Sequence, residues 1–110
     1  MRNVPKLAVA LLLVTYRASG GEIYGTISER GRPVVREGVA ISCRDTNANP
    51  SADEKQTDGF GSYRLFVKSL GPCDLTVRDL APVQVLSYGN AQRYNFEIVG
   101  VDGKTILQRR

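Results

Sequence analysis

Tyr63-Arg64-Leu65-Phe66-Val67, followed by Gly71-Pro72 and then Cys73-Asp74-Leu75-Thr76-Val77, decides the fold. In the first run Tyr63, Leu65 and Val67 alternate with Arg64 and Phe66. In the second, Cys73, Leu75 and Val77 alternate with Asp74 and Thr76. A period of two places one set of side chains on a buried face and the other toward solvent, the signature of a half-buried β-strand. The Gly-Pro pair between the runs is turn chemistry.

The same alternation recurs in both directions. Ile23, Gly25 and Ile27 alternate with Tyr24, Thr26 and Ser28. Val39, Ile41 and Cys43 alternate with Ala40, Ser42 and Arg44. Tyr94, Phe96 and Ile98 alternate with Asn95 and Glu97. A weaker run covers Val83 to Ser87, and Thr105 to Gln108 is placed for a last strand. Asp58-Gly59 marks a reversal, and Asp102-Gly103 between apolar runs is a hairpin signal. Residues 45–56 hold no apolar residue larger than alanine and read as a mobile surface loop. No segment sustains helical periodicity. Short strands separated by turns predict an all-β fold, a small antiparallel two-sheet sandwich of about seven strands.

The first 20 residues read as an export signal. Arg2 and Lys6 precede an apolar run from Leu7 to Val14, and Ala18-Ser19-Gly20 offers small residues for cleavage after Gly20. That run is about half the roughly 20 residues a spanning helix needs, so no stable membrane span is expected once it is removed. Retention as an N-terminal anchor is the alternative. The 110-residue chain carries 15 Lys and Arg against 11 Asp and Glu. Three of the cations, Arg2, Lys6 and Arg17, lie in the leader, so residues 21–110 hold 12 against 11. A nearly neutral chain without a clustered basic face gives no basis for nucleic-acid binding.

A domain of this size has a marginal core, and exported domains of that kind often carry a covalent brace. Cys43 and Cys73 are the only cysteines and share the parity of their strands' apolar residues, so both face the core side. A disulfide between them is expected, within one sheet or across the sandwich; two free buried thiols are the alternative. Closing a loop of about 30 residues stabilises by about 3 kcal/mol.

Gly25-Thr26-Ile27, Gly31-Arg32-Pro33-Val34 and Gly38-Val39-Ala40-Ile41 resemble the opening of the carboxypeptidase regulatory-like domains, which belong with the transthyretin-like and Cna-B-like sandwiches. Thr57-Asp58-Gly59-Phe60-Gly61-Ser62-Tyr63 resembles the second half of that pattern. The resemblance runs from about Glu22 to Val99 and implies a domain over residues 21–110. Gly25 then leaves room for a neighbouring side chain or marks a bulge, Gly59 and Gly61 supply positive φ, Asp58 caps the turn, and Tyr63 buries its ring and needs a hydroxyl partner. Enzymes of related fold use histidine, and this chain has none. That also excludes Ser-His-Asp and Cys-His catalysis and removes the usual metal ligand. The internal isopeptide bond of Cna-B-like modules needs a first-strand lysine; Asn95 lies in a late strand, but Glu22 to Ser28 holds no lysine. The remaining acidic residues fall at turns and outward positions.

The sequence therefore reads as a noncatalytic module, secreted or periplasmic, that binds or assembles with a protein or polysaccharide and takes no cofactor or metal. The alternative is a carbohydrate-binding module. Tyr24 and Phe66 point away from the core by parity and are its candidate ligand-facing aromatics. Ligand identity and oligomeric state are left open.

Overall fold

A computed structural model describes residues 21–44 and 51–110; the leader expected over residues 1–20 lies outside them. The described residues form ten strands and no helix: β1 (Gly21–Glu29), β2 (Arg32–Pro33), β3 (Gly38–Cys43), β4 (Ser51–Gln56), β5 (Ser62–Val67), β6 (Gly71–Val77), β7 (Val83–Ser87), β8 (Gln92–Arg93), β9 (Phe96–Val101) and β10 (Lys104–Arg109). They make two packed sheets. One runs β4-β3-β6-β7, with every pairing antiparallel. The other is built on β1, which pairs β5 and β2 along one side and β8 and β9 along the other, with β10 outside β9. The all-β two-sheet expectation is met.

Alternation is what fills the core. Ile23, Ile27, Leu65 and Phe96 from the β1 sheet meet Val39, Ile41, Leu75, Val77 and Val85 from the other, all at 1% exposure or less. Burying one such side chain stabilises by about 1.5–3 kcal/mol, so this shared layer is the main force holding the sheets together. Cys43 and Cys73 sit directly opposite each other on β3 and β6 and form a disulfide within one sheet. Both are nearly fully buried, as their parity requires.

Strand β1 has parallel neighbours where a purely antiparallel sandwich was expected. The chain runs beside it in one continuous register, from Ile23 opposite Gln92 to Ile27 opposite Phe96. The Tyr94 N–H still donates to the Tyr24 carbonyl at 2.8 Å, but regular pairing lapses at Tyr94 and Asn95, so the strand expected to begin at Tyr94 begins at Phe96 as β9, with the short β8 just before it. The side chain of Asn95 repairs the gap: its Oδ1 accepts from the Thr26 N–H at 3.0 Å and from the Thr26 hydroxyl at 3.2 Å. Gly25 belongs to the same repair. A Cβ there would lie 1.9 Å from the Tyr94 carbonyl oxygen, so the room it leaves is for backbone, not for a side chain. That carbonyl also accepts the Tyr63 hydroxyl at 2.6 Å. Burial, and then the neighbouring Tyr94, push the Tyr63 hydroxyl well above the ordinary phenol range, which keeps it a donor.

Two further expectations are corrected. Residues 51–56 of the expected loop form strand β4; residues 45–50 lie outside the described set. Polarity disguised this strand because it extends beyond the core: Ala52 and Glu54 face out, while Ser51, Asp53 and Lys55 share the inward parity of Cys43, Ile41 and Val39. In the Asp58 turn, Gly61 adopts φ 76° but Gly59 takes no positive φ. Asp58 holds that turn by accepting from the Phe60 and Ser62 N–H groups, each at 2.9 Å.

Candidate interaction surface

A sheet ends in backbone groups with no strand to pair with, and those edges are where another chain can add. This sandwich has four long edge strands: β4 and β7 in one sheet, β5 and β10 in the other. On three of them an edge N–H is tied to a side chain. At β5, the Phe66 N–H donates to Asp53 Oδ2 at 2.9 Å, and just beyond its end the Lys68 N–H donates to Ser51 Oγ at 2.8 Å. At β4, the Glu54 N–H donates to Asp53 Oδ1 at 2.9 Å. At β7, the Leu86 N–H donates to the Tyr94 hydroxyl at 3.0 Å, and that hydroxyl leans on the Leu86 carbonyl at 3.4 Å.

Asp53 therefore serves two strands and also pairs with Lys55 at 2.9 Å. Burial pushes its carboxyl up, but hydrogen bonds from Phe66, Lys55 and Glu54 outweigh that and hold it below the ordinary 3.8. The acidic residues were expected at turns and outward positions; Asp53 is an inward one. Tyr94 is in turn covered by Arg109, whose guanidinium lies 4.4 Å from the ring centre.

Strand β10 is different. The Arg110 N–H donates to the Asn95 carbonyl at 2.8 Å, continuing the β9–β10 ladder, and antiparallel alternation assigns Lys104, Ile106 and Gln108 to that same side. The N–H and C=O groups of Thr105, Leu107 and Arg109 consequently point to the free side. Among the described residues no side chain or backbone group bonds them. The strand is presented by a two-residue turn with Asp102 at φ 49° and Gly103 at φ 79°, the hairpin its sequence predicted.

Tyr24 and Phe66 are both on the outer face of the β1–β5 pair, with Phe66 58% exposed and Tyr24 half-buried. Glu22 stands opposite Phe66, and Tyr24 opposite Arg64. Glu22 and Arg64 are salt-bridged along one diagonal of this square, so the ion pair lies across the diagonal joining the two aromatic rings. The Arg93 guanidinium lies 6.0 Å from the centre of the Tyr24 ring. Beside Tyr24 runs a shallow groove of about 450 Å³ lined by Lys55, Asp58, Arg64 and Arg93.

At the end of the sandwich where β6 finishes, Arg78 donates to Glu37 at 2.8 Å and to Glu29 at 3.2 Å, linking the two sheets. All three side chains are about a third exposed, so the pairs orient more than they stabilise. No group of three or more acidic, cysteine or histidine side chains is placed to hold a metal ion among the described residues. Sequence reasoning found the disulfide and the outward aromatics. It missed Ser51, Asp53 and Tyr94, whose partners are set by sheet order and carry no local signal.

No family model matches the chain. No curated protein matches it either. Among solved structures, it is similar to a crystal structure from Bacteroides fragilis described as a "putative cell adhesion protein", at 14% identity and a TM-score of 0.39. The match covers 86% of this chain and 45% of that one, so the chain spans about half the length of that structure.

Proposed function

We propose that residues 21–110 form an exported, noncatalytic module of the carboxypeptidase regulatory-like kind. It binds or assembles with another protein or polymer in the cell envelope or secreted space, after cleavage of residues 1–20. One observation carries the reading: five of the polar side chains that could do chemistry are engaged in holding backbone. Asp53, Asp58, Asn95, Tyr63 and Tyr94 each bond a main-chain group. The buried disulfide supports an oxidising compartment. What the surface offers instead is an open strand edge and a flat outer face.

The carbohydrate alternative draws less support, since stacking a sugar across Tyr24 and Phe66 requires displacing the Glu22–Arg64 pair between them. A glycan array with no binding removes it. The main reading is tested by lysine-reactive crosslinking of the tagged full chain in its own cells. A discrete adduct with an envelope component, on a chain whose intact mass begins at Gly21, is the expected result. A chain found only as uncrosslinked monomer in the cytoplasm with its leader intact overturns it.

A further inference from the structure

We infer that the free edge of β10 is a docking strand for an acidic, extended segment of a partner protein, which adds to the sheet as its next strand. The inference rests on the module reading above and names the surface and the chemistry of what it holds.

Three observations converge on β10. Its outward backbone groups, at Thr105, Leu107 and Arg109, have no partner among the described residues, whereas β4, β5 and β7 each carry a side-chain cap. An added strand gains main-chain hydrogen bonds there without displacing anything. Beside the edge, on the outer face, Val99 stands opposite Ile106, and Val101, 44% exposed, lies next along β9. This short apolar strip gives alternate side chains of an incoming strand something to cover.

Charge selects the partner. Lys104 and Arg109 lie at the two ends of β10, Arg110 follows, and the strand has no carboxylate. The hairpin's two acidic residues, Glu97 and Asp102, are on β9 and in the turn. A second copy of this chain is a poor occupant, because the doubled ladder would hold two Lys104 and two Arg109 with no acid between them, and like charges across a ladder destabilise it. An acidic strand with carboxylates on both faces sets one beside Lys104, on the outer face with Ile106, and one beside Arg109, on the face of Leu107, each pair contributing a modest increment and steering the approach. Lysine on an exposed edge also deters indiscriminate pairing. The same charges therefore reject self-association and admit a complementary partner.

The test uses the oxidised chain, a capped peptide of about ten residues that alternates adjacent Glu-Glu and Val-Val pairs so that both faces of the added strand carry acid, and its lysine-for-glutamate counterpart. Amide hydrogen exchange is expected to slow about tenfold or more at Thr105, Leu107 and Arg109 with the acidic peptide, and not with the basic one. K104E/R109E should weaken acidic-peptide binding about tenfold and admit the basic peptide. Thr105→Pro removes one outward N–H and leaves the β9 ladder whole, so it should abolish binding without lowering the melting temperature. Equal protection by both peptides, protection confined to other strands, unchanged binding by Thr105→Pro, or self-association through these amides without peptide overturns the inference. If these amides stay unprotected while the full chain still crosslinks to an envelope component, the edge assignment fails and the module reading stands.

Discussion

Strands β5 and β10 are the two outer members of one sheet, each six residues long, and they end that sheet in opposite ways. Beside β5 lies a strand of the other sheet whose inward side chains are serine and aspartate, and these take up its edge N–H groups. Beside β10 there is no such strand among the described residues. The inward position that serves the core elsewhere in the β3 sheet serves the seam in β4, because β4 hangs past the last core layer. An edge is closed here by polar residues at apolar parity, so polarity in β4 is evidence of a neighbour, not of a loop. Strand β10, by contrast, buries only Leu107 and is the long edge strand with no side-chain cap among the described residues.

The largest expected effect comes from the brace that holds the closed side. Ser51 is registered opposite Cys43, so the Cys43–Cys73 bond anchors the end of β3 from which Ser51 is positioned. C43S/C73S is expected to cost about 3 kcal/mol by denaturant unfolding. The Phe66 and Lys68 amides should lose exchange protection before the β9–β10 ladder does. Equal loss on both sides would show that the brace acts on the whole sandwich alone.

Removing the caps themselves is next. S51A/D53A should destabilise by about 2 kcal/mol, since the Phe66, Glu54 and Lys68 N–H groups lose their acceptors and the two bonds to Asp53 are charge-assisted. Because the folded pKa of Asp53 lies below its ordinary 3.8, its contribution is complete above that value and is lost as pH falls through the lower, folded one. Thermal melts of the parent chain should therefore drop across that acid range, and those of D53N should drop less. The Asp58 carboxyl is lowered too, by the Ser62 and Phe60 N–H groups, so some acid sensitivity should survive in D53N.

Much of this arrangement is legible in the chain, and the remainder has a definable cause. Period-two runs at Ile23, Val39, Tyr63 and Cys73 located strands because each buries one face, and the parity of Cys43 and Cys73 brought them to one side. Asp102-Gly103 announced its hairpin because that turn needs two residues at positive φ. Strand β4 escaped because it has no buried face to leave a pattern. The late start of the Tyr94 strand, at Phe96, escaped because the Asn95 side chain stands in for a backbone rung, and any polar residue in a strand has the same local appearance. Which edge is open depends on sheet order, a long-range property, and β10's own residues do not encode it.

The smaller effects separate a capped edge from an open one directly. At β7, Tyr94→Phe keeps the ring stacked against Phe96 and Arg109 but takes the acceptor from the Leu86 N–H. A loss of about 1 kcal/mol is expected, with faster exchange at that one amide. At β10, Thr105→Pro deletes an edge N–H outright. Proline inside a sheet usually removes a ladder bond, but here the deleted donor has no acceptor among the described residues, Thr105 is exposed, and the β9 rungs run through Lys104, Ile106 and Gln108. Its stability change should stay within about 0.5 kcal/mol. A loss as large as that of Tyr94→Phe would mean that the β10 edge is closed by something bonded at Thr105, and the contrast with β5 would disappear.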